Sequence, residues 1–449
     1  MKSKKWLKML SFFLMVTMVL SMVACASEPS EEPSPSEEPA GDEQEPVNEE
    51  PITLSFLHVF SGPRGEAMDK IVQGFNESQD RITVIHESVP GWYPGLLEQL
   101  QTLAVAKQLP DLAIMGLSSH NFMQEGLGAV NMQPYIDADQ FDLSGIFPQM
   151  LSLGQNANGD QAALPFAVST PLLYANIDLL NEAGIDYVSQ PETWAQVSSW
   201  AKKVNALGSD ISGLAFQMGF DTWQFQTLVE SFGGEMADIE NQEILFTEES
   251  GQRVMDFWME LKADDTWPNI DGSEAAEEFI AGKMGMIMAT TGNLVAFSGS
   301  VDFDMGIMLL PLLDDNTNRN ERVVPAGGSN LYIMSQDEER AAAAWEFVKY
   351  AMSPEAGAII VKDIGYMAAR ESLLDDGGLL SDYIAANPQA TRSYDQIGDL
   401  ADWYNWPGTA GARIDTVLLD NFDAAFLGQK PGEQALVDSA SEAKAILGW

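Results

Sequence analysis

A chain of 449 residues with one cysteine, Cys25, cannot close an intramolecular disulfide, so any folded state must be held by packing alone. About 400 residues follow that cysteine, too many for one ordinary core, and two packed lobes are expected. The pattern within them indicates the kind of lobe. A strand-like run at 52–60 precedes a helical pattern at 64–76, a strand at 81–87, a helix at 93–107 and a strand at 111–115. Such alternation predicts an α/β lobe with a largely parallel sheet. Asn158 and Gly159 read as a tight turn into an extended stretch at 163–166. Helices dominate further on. Thr193 with Gln196 and Ser335 with Glu338 read as capping boxes, and Ser353 before Pro354 as a cap with proline at the first helical position. Val254, Phe257, Trp258 and Leu261 share one helical face. Trp194, Trp200, Trp258 and Trp345 lie at helix starts or on apolar faces and are read as core, whereas Trp92, Trp223, Trp403 and Trp406 fall in loop-like sequence, where an aromatic ring needs another reason.

The N-terminus has the three parts of a secretory signal: Lys2, Lys4, Lys5 and Lys8, an apolar run over 9–23, and small Ala24 before Cys25. The string LSMVAC at 20–25 resembles a lipobox, in which residues 1–24 are removed and Cys25 becomes a lipidated N-terminus. Each buried methylene contributes about 0.8 kcal/mol, so two acyl chains anchor where one does not. The competing reading is an uncleaved transmembrane helix, for which the run is short. Residues 26–50 contain ten acidic side chains, no Lys or Arg and a repeated Ser-Glu-Glu-Pro, a composition that cannot bury enough apolar surface to order itself. The segment 25–50 is therefore expected to tether the domain to a bacterial membrane on its extracytoplasmic face.

Beyond the tether, 57 acidic residues stand against 19 Lys and Arg. A surface of that charge repels nucleic acid and anionic lipid headgroups. Enzyme signatures are missing: there is no G-x-S-x-G, P-loop, G-x-G-x-x-G or H-E-x-x-H. His58, His86 and His120 are too dispersed for a local metal motif, although a fold could gather them, and the acidic groups Asp137, Asp139, Asp142 and Asp302, Asp304 lack EF-hand spacing. Glycoside cleavage by two carboxylates needs only a suitably spaced pair and stays open as the enzymatic alternative.

Several segments, in a fixed order, resemble the extracellular solute-binding proteins of ABC importers for sugars and related polyols, nearest to the glycerol-3-phosphate-binding group. They are LPFAVSTPLLYAN at 164–176, DLLNEAG at 178–184, PETW at 191–194, FIAGKMGMIMATTG at 279–292, GGSNLYIM at 327–334, AWEFVK at 344–349, SPE at 353–355 and Gly365 with Tyr366. The resemblance implies an α/β, two-lobe periplasmic-binding-protein-like fold with hinge crossings and an interlobe ligand cleft. It places 51–165 and 289–335 in the first lobe, and 166–288 and 336–449 in a second, helix-rich lobe. It implies a binding protein without catalytic residues, cofactor or metal, which captures a sugar or polyol by lobe closure and hands it to the permease subunits of an importer. A monomer suits a receptor that opens and closes. Reporting to a sensor kinase is the other binding role.

Carried over by position, the resemblance implies ligand contacts at Tyr93, Ser169, Phe220, Trp223, Thr291, Gly328 and Tyr366. Aromatic faces would pack against C–H surfaces, and hydroxyls and amides would meet ligand hydroxyls. Two positions depart from the group: Leu117 stands where it has a glutamate for glycerol hydroxyls, and Pro407 where it has an arginine for phosphate. Arg413, six residues on, is the candidate substitute cation. Without the arginine a phosphate loses a charge-assisted partner, which favours a neutral sugar stacked on Trp223 and Trp406.

Overall fold

Alternate apolar positions bury Ile52, Leu54 and Phe56 along strand β1 (Ile52–His58), which starts the first of two sheets in this computed structural model. Residues 50–187, 193–217, 221–268, 270, 272–311 and 323–449 are described; Cys25, the signal, the tether up to residue 49 and Phe220 lie outside them. Helix α1 (Pro63–Ser78) opens with proline in its first turn, as a helix start favours. It is followed by β2 (Ile82–Ser88), α2 (Trp92–Ala106) and β3 (Leu112–Gly116), all close to the predicted bounds. Strands β4 (Leu164–Ser169) and β5 (Pro171–Asn176) are both fully buried. One residue, Thr170, separates them, yet they belong to different sheets.

The remaining main elements are helix α3 (Trp194–Asn205), strand β6 (Ser212–Phe216), and helices α4 (Thr222–Ser231) and α5 (Glu249–Ala263). Strands β7 (Met284–Thr290), β8 (Met305–Met308) and β9 (Gly327–Ile333) follow. Helices α6 (Glu338–Ala351), α7 (Pro354–Ile359), α8 (Gly411–Phe426) and α9 (Gly432–Leu447) complete the chain. The first sheet has the order β2-β1-β3-β9-β4 and the second β8-β5-β7-β6. The first is mixed rather than largely parallel: β1 pairs in parallel with β2 and β3, but β9 runs antiparallel to both β3 and β4.

Each sheet has its own core. In the first, Phe347 of α6 meets Phe56 of β1 at 5.4 Å and Phe75 of α1 at 5.2 Å. In the second, Phe225 meets Phe422 and Phe216 meets Trp267, each at 4.7 Å. Trp194, Trp258 and Trp345 are buried as expected, and Trp200 packs partly buried against the second core.

Sheet membership corrects the expected lobe boundaries. Residues 166–169 close the first sheet as part of β4, whereas β8, expected in the first lobe, pairs antiparallel with β5 of the second. Helices α6 and α7, expected in the second lobe, bury Ala344, Trp345, Phe347, Val348 and Ala356 in the first core. The return crossing therefore lies between β8 and β9 rather than around 279–292, and a further passage carries the chain from Tyr366 in the first core to Trp406 in the second.

The local signals fared unevenly. The Thr193 box forms in full. Ser353 caps α7 by accepting the Ala356 N–H. The Ser335 box does not form, because α6 begins at Glu338 and its N-cap is Asp337, which accepts from the Arg340 N–H. Arg340 in turn grips Asp111 in bidentate fashion at 2.7 and 2.6 Å. Burial pushes the Asp111 carboxyl up, but Arg340 and Ser55 outweigh this and hold it below the usual carboxylate range.

Candidate functional site

The joint between the lobes is built from the ends of four strands. Ser169, at the end of β4, pairs with Gly327 of β9, and Gly328 pairs with Val168. Gly328 has φ +94, and a Cβ there would stand 2.0 Å from the Ala167 carbonyl oxygen, so the irregular ladder at this point requires glycine. A Cβ on Gly327 would meet Ser169 Oγ at 2.7 Å and the Trp223 ring at 3.0 Å. The missing side chain thus lets α4 of the second lobe press against the first sheet. Trp223 donates Nε1–H to the Pro325 carbonyl at 3.2 Å. On the other side of the joint the Thr291 N–H donates to the Thr170 carbonyl at 2.9 Å, and the Thr170 N–H donates to Thr291 Oγ1 at 3.3 Å.

From Thr291 the lining continues into an aromatic rim. The Tyr366 ring lies against Gly292, where a Cβ would come within 2.7 Å of it. Tyr93 covers Gly116 in the same manner at 2.9 Å. Phe60 contacts Tyr366 at 5.9 Å and Trp92 at 6.4 Å. Between them Arg64 of α1 donates Nη2–H to the Gly292 carbonyl at 2.6 Å, a bond from the first lobe to the second. Its guanidinium carbon stands 5.7 Å from the Trp92 ring centre and 5.6 Å from that of Tyr366. Burial pushes both the Tyr93 and Tyr366 phenols up, so each stays a neutral donor.

Three hydroxyls at this joint, Tyr93 Oη, Thr170 Oγ1 and Ser329 Oγ, are buried without a well-formed hydrogen bond. Tyr93 and Ser329 lie within hydrogen-bonding reach of each other, which favours the ionised phenol but does not offset burial. Buried hydroxyls of this kind are costly unless something pairs with them. Thr291 and Tyr366 face one recess, also lined by Leu172 and Tyr394. A larger cavity of about 390 Å³ opens between the lobes, with Leu117, His120 and Asn121 on one side and Gln226, Trp403 and Asn405 on the other. Burial pushes the His120 imidazole down to about 4, so it is neutral there.

Of the expected residues, the fold brings Tyr93, Ser169, Thr291, Gly328, Tyr366 and Trp223 to this joint. Trp406 does not reach it as an open platform. It is 3 % exposed and lies in the second core, 4.8 Å from Tyr404, because the 402–407 loop turns that ring inward. Trp403 takes the outward position, 5.8 Å from Trp223. Trp223 is itself 3 % exposed, closed over by Trp403 and Gly327. Arg413 is exposed on the first turn of α8. Arg64, Thr170 and Ser329 were missed, with the string STP at 169–171, a polar pair between two apolar runs, the one available signal; Trp403 reads as a loop aromatic but is not placed among the expected contacts.

Behind the joint, Asp221 caps α4, accepting from the Gln224 N–H at 2.6 Å. Asp415 of α8 is hydrogen-bonded by the side chains of Thr222 and Trp406. Burial pushes both carboxyls up to about 7, and Asp221 is raised further by the nearby Asp415. The fold gathers two of the three histidines: His58 Nε2 and His86 Nδ1 are 2.8 Å apart, and His86 Nε2 is 3.0 Å from Asp69 Oδ1. A separation of 2.8 Å fits one proton shared between the two rings. Among the described residues no group of three His, Cys, Asp or Glu is placed to hold a metal ion, and no helix is long and apolar enough to cross a membrane.

Two sheets with separate cores, crossings between them and a polar, aromatic-rimmed joint define a two-lobe solute-binding fold. The family described as bacterial extracellular solute-binding protein matches residues 70–411, and the chain belongs to it. Among curated relatives, the sn-glycerol-3-phosphate-binding periplasmic protein UgpB of Yersinia pseudotuberculosis is 24% identical over 416 residues, covering 88% of this chain and 92% of that one. Among solved structures, UgpB from Mycobacterium tuberculosis in complex with glycerophosphocholine aligns with a TM-score of 0.78 at 21% identity, over 88% of this chain and 98% of that one. The substrate-binding protein Lmo0181 from Listeria monocytogenes in complex with cycloalternan aligns with a TM-score of 0.77 at 17% identity, over 89% of this chain and all of that one.

Proposed function

We propose that this protein is the lipid-anchored, non-catalytic receptor of an ABC importer, which captures a sugar or related polyol by closure of its lobes and delivers it to the membrane permease. The observation that carries this reading is the run of hydroxyls buried at the joint between the lobes, where, among the described residues, Thr170 Oγ1 has no hydrogen-bond partner and Tyr93 and Ser329 have only each other. A ligand rich in hydroxyl groups supplies the partners they lack, and Ser169, Thr291, the backbone at Gly328 and Tyr366 extend the same surface. Trp223 and Trp403 wall the neighbouring cavity. The ligands of these relatives, glycerol 3-phosphate, glycerophosphocholine and cycloalternan, share that chemistry. Trp406 and Arg413 are left out of the contact set, the first for its burial and the second for its place on the outer turn of α8. The anchor rests on Cys25 and its leader.

The test is a thermal-shift screen of the full chain against neutral mono- and oligosaccharides, polyols and their phosphates. A ligand present at 100 times its Kd adds about 2.7 kcal/mol to stability, so a binder raises the melting temperature by several degrees. A flat response to every sugar and polyol overturns the reading, and release of reducing ends from an oligosaccharide favours the glycosidase alternative. Cys25→Ser is expected to move the protein from the membrane to the soluble fraction; retention on the membrane favours an uncleaved helix.

A further inference from the structure

Cations are scarce in this chain, 23 Lys and Arg against 67 Asp and Glu, and their electrostatic partners are correspondingly easy to find. Lys70 pairs with Asp363, Lys202 with Glu260, Arg340 with Asp111, Lys349 with Asp139, Arg392 with Asp395 and Lys430 with Asp438. Exposed Lys107 and Arg413 also lack a carboxylate partner among the described residues, and Arg64 differs from them in its place. Partly buried at the interlobe joint, it makes one hydrogen bond, to the Gly292 carbonyl, and no carboxylate pairs with it among the described residues.

Its guanidinium is nevertheless held in place. The Tyr366 and Trp92 rings stand 5.6 and 5.7 Å from it, positions that favour a cation over an aromatic face. Trp92 adopts φ 55, a left-handed conformation that a bulky residue takes only at a cost, and its ring is 47% exposed. The field of Arg64 opposes burial at three phenols, Tyr93, Tyr174 and Tyr366, so its charge reaches the joint. Beside it are the buried hydroxyls of Tyr93 and Ser329, whose one protein contact is with each other. None of Arg64, Tyr93, Thr170, Thr291, Ser329 and Tyr366 carries a carboxylate that would compete for the guanidinium.

We propose that Arg64 is the anion-recognising side chain of the cleft, so that the solute carries a phosphate or carboxylate group beside its hydroxyls. A planar guanidinium with one Nη2–H committed to Gly292 keeps further N–H groups for an oxyanion, and the neighbouring hydroxyls donate to the same charge. The cation comes from the start of α1 in the first lobe. It replaces the arginine expected at Pro407, and the preference for a neutral sugar drawn from that absence is reversed. This inference rests on the sugar or polyol reading and narrows its ligand.

The experiment is isothermal titration of the purified full chain, as wild type, Arg64→Gln and Arg64→Lys, with glucose, glucose 1-phosphate, gluconate, glycerol and glycerol 3-phosphate. In the wild type at least one anionic compound is expected to bind about 10–100-fold more tightly than its neutral parent, with affinity falling as salt rises. Glucose 1-phosphate or glycerol 3-phosphate as that compound identifies a phosphate, and gluconate a carboxylate. Arg64→Gln is expected to erase the difference while neutral binding persists, and Arg64→Lys to keep part of it, since an ammonium supplies charge without the planar fork. Neutral parents that bind as well as their anions overturn this inference and leave the sugar or polyol reading standing. An anion preference that survives Arg64→Gln, or an equal loss for neutral and anionic compounds, also overturns it, the latter marking Arg64 as a clasp between lobes. If none of the five gives heat, the same three proteins are titrated with the binder found in the thermal-shift screen, and a neutral binder whose affinity is unchanged in Arg64→Gln overturns this inference alone.

Discussion

The two walls of the cleft solve the burial of polar and aromatic groups in opposite ways. On the first-lobe wall the buried hydroxyls of Tyr93 and Ser329 have only each other, and Arg64 stands without a carboxylate among the described residues. On the second-lobe wall the tryptophans satisfy one another and the backbone: Trp223 donates to Pro325 and packs on Trp403, and Trp406 packs on Tyr404. The buried acids differ in the same sense. Asp111 of the first lobe is gripped by Arg340, whereas Asp221 and Asp415 of the second face each other with no cation between them among the described residues. The cation without a carboxylate is therefore on the first-lobe wall, and the aromatic side of the second serves mainly its own packing.

Replacing an indole on the second wall should break this contrast most visibly. Trp406→Ala is expected to cost about 3–5 kcal/mol of stability, as for other buried Trp truncations, and to leave the affinity of the folded fraction close to wild type. Urea unfolding followed by circular dichroism, with calorimetry on the same sample, separates the two effects. Lost affinity at unchanged stability would return Trp406 to the binding surface.

Tyr93→Phe probes the first wall and should do the reverse. A hydroxyl that donates to a ligand contributes about 1–1.5 kcal/mol, so affinity should fall about tenfold. The melting temperature should hold or rise, because the variant removes a buried oxygen whose one protein contact, Ser329, is poorly formed. A drop in melting temperature with intact binding would make Tyr93 a packing residue.

The acids offer a finer test through pH. The Asp221 and Asp415 carboxyls keep their protons up to about 7 in the folded state and lose them near 4 when unfolded. The unfolded chain then binds fewer protons across that window, so their contribution to stability is complete below pH 4 and is lost as pH rises towards 7. Asp111, held low, contributes above about 4 and loses that contribution as pH falls through its folded value. Melting temperature measured from pH 3 to pH 8 should show both limbs, and Asp415→Asn should flatten the upper one. A slope unchanged by Asp415→Asn would show that its carboxyl titrates normally.

The parts of this architecture legible in sequence were those with local signals. The β/α alternation from Ile52 to Gly116 was readable because its strands carry period-two burial and its helices open on Pro63 and the Gly91 turn. The Thr193 box was readable because a capping box closes within four residues. The lobe assignment of α6 was not, since a face made of Ala341, Ala344 and Phe347 fits either sheet and only tertiary contact with Phe56 and Phe75 decides it. Trp406 was misread for a similar reason: Pro407 and Gly408 announce a loop but not the direction in which its ring points. Arg64 had no signal at all, because in Gly62-Pro63-Arg64 it looks like an ordinary first-turn residue, and its role depends on Gly292, 228 positions away.

The contact between Trp223 and Trp403 also has an optical consequence. Two indoles with ring centres 5.8 Å apart and planes inclined at 40° couple their electronic transitions, and such coupling produces a signed pair of bands in the far ultraviolet, where the indole absorbs most strongly. One chromophore belongs to a helix of the second lobe and the other to the segment that returns to it from the first. Any solute that shifts that segment against the helix changes the coupling, so the unlabelled protein carries its own spectroscopic gauge of cleft occupancy.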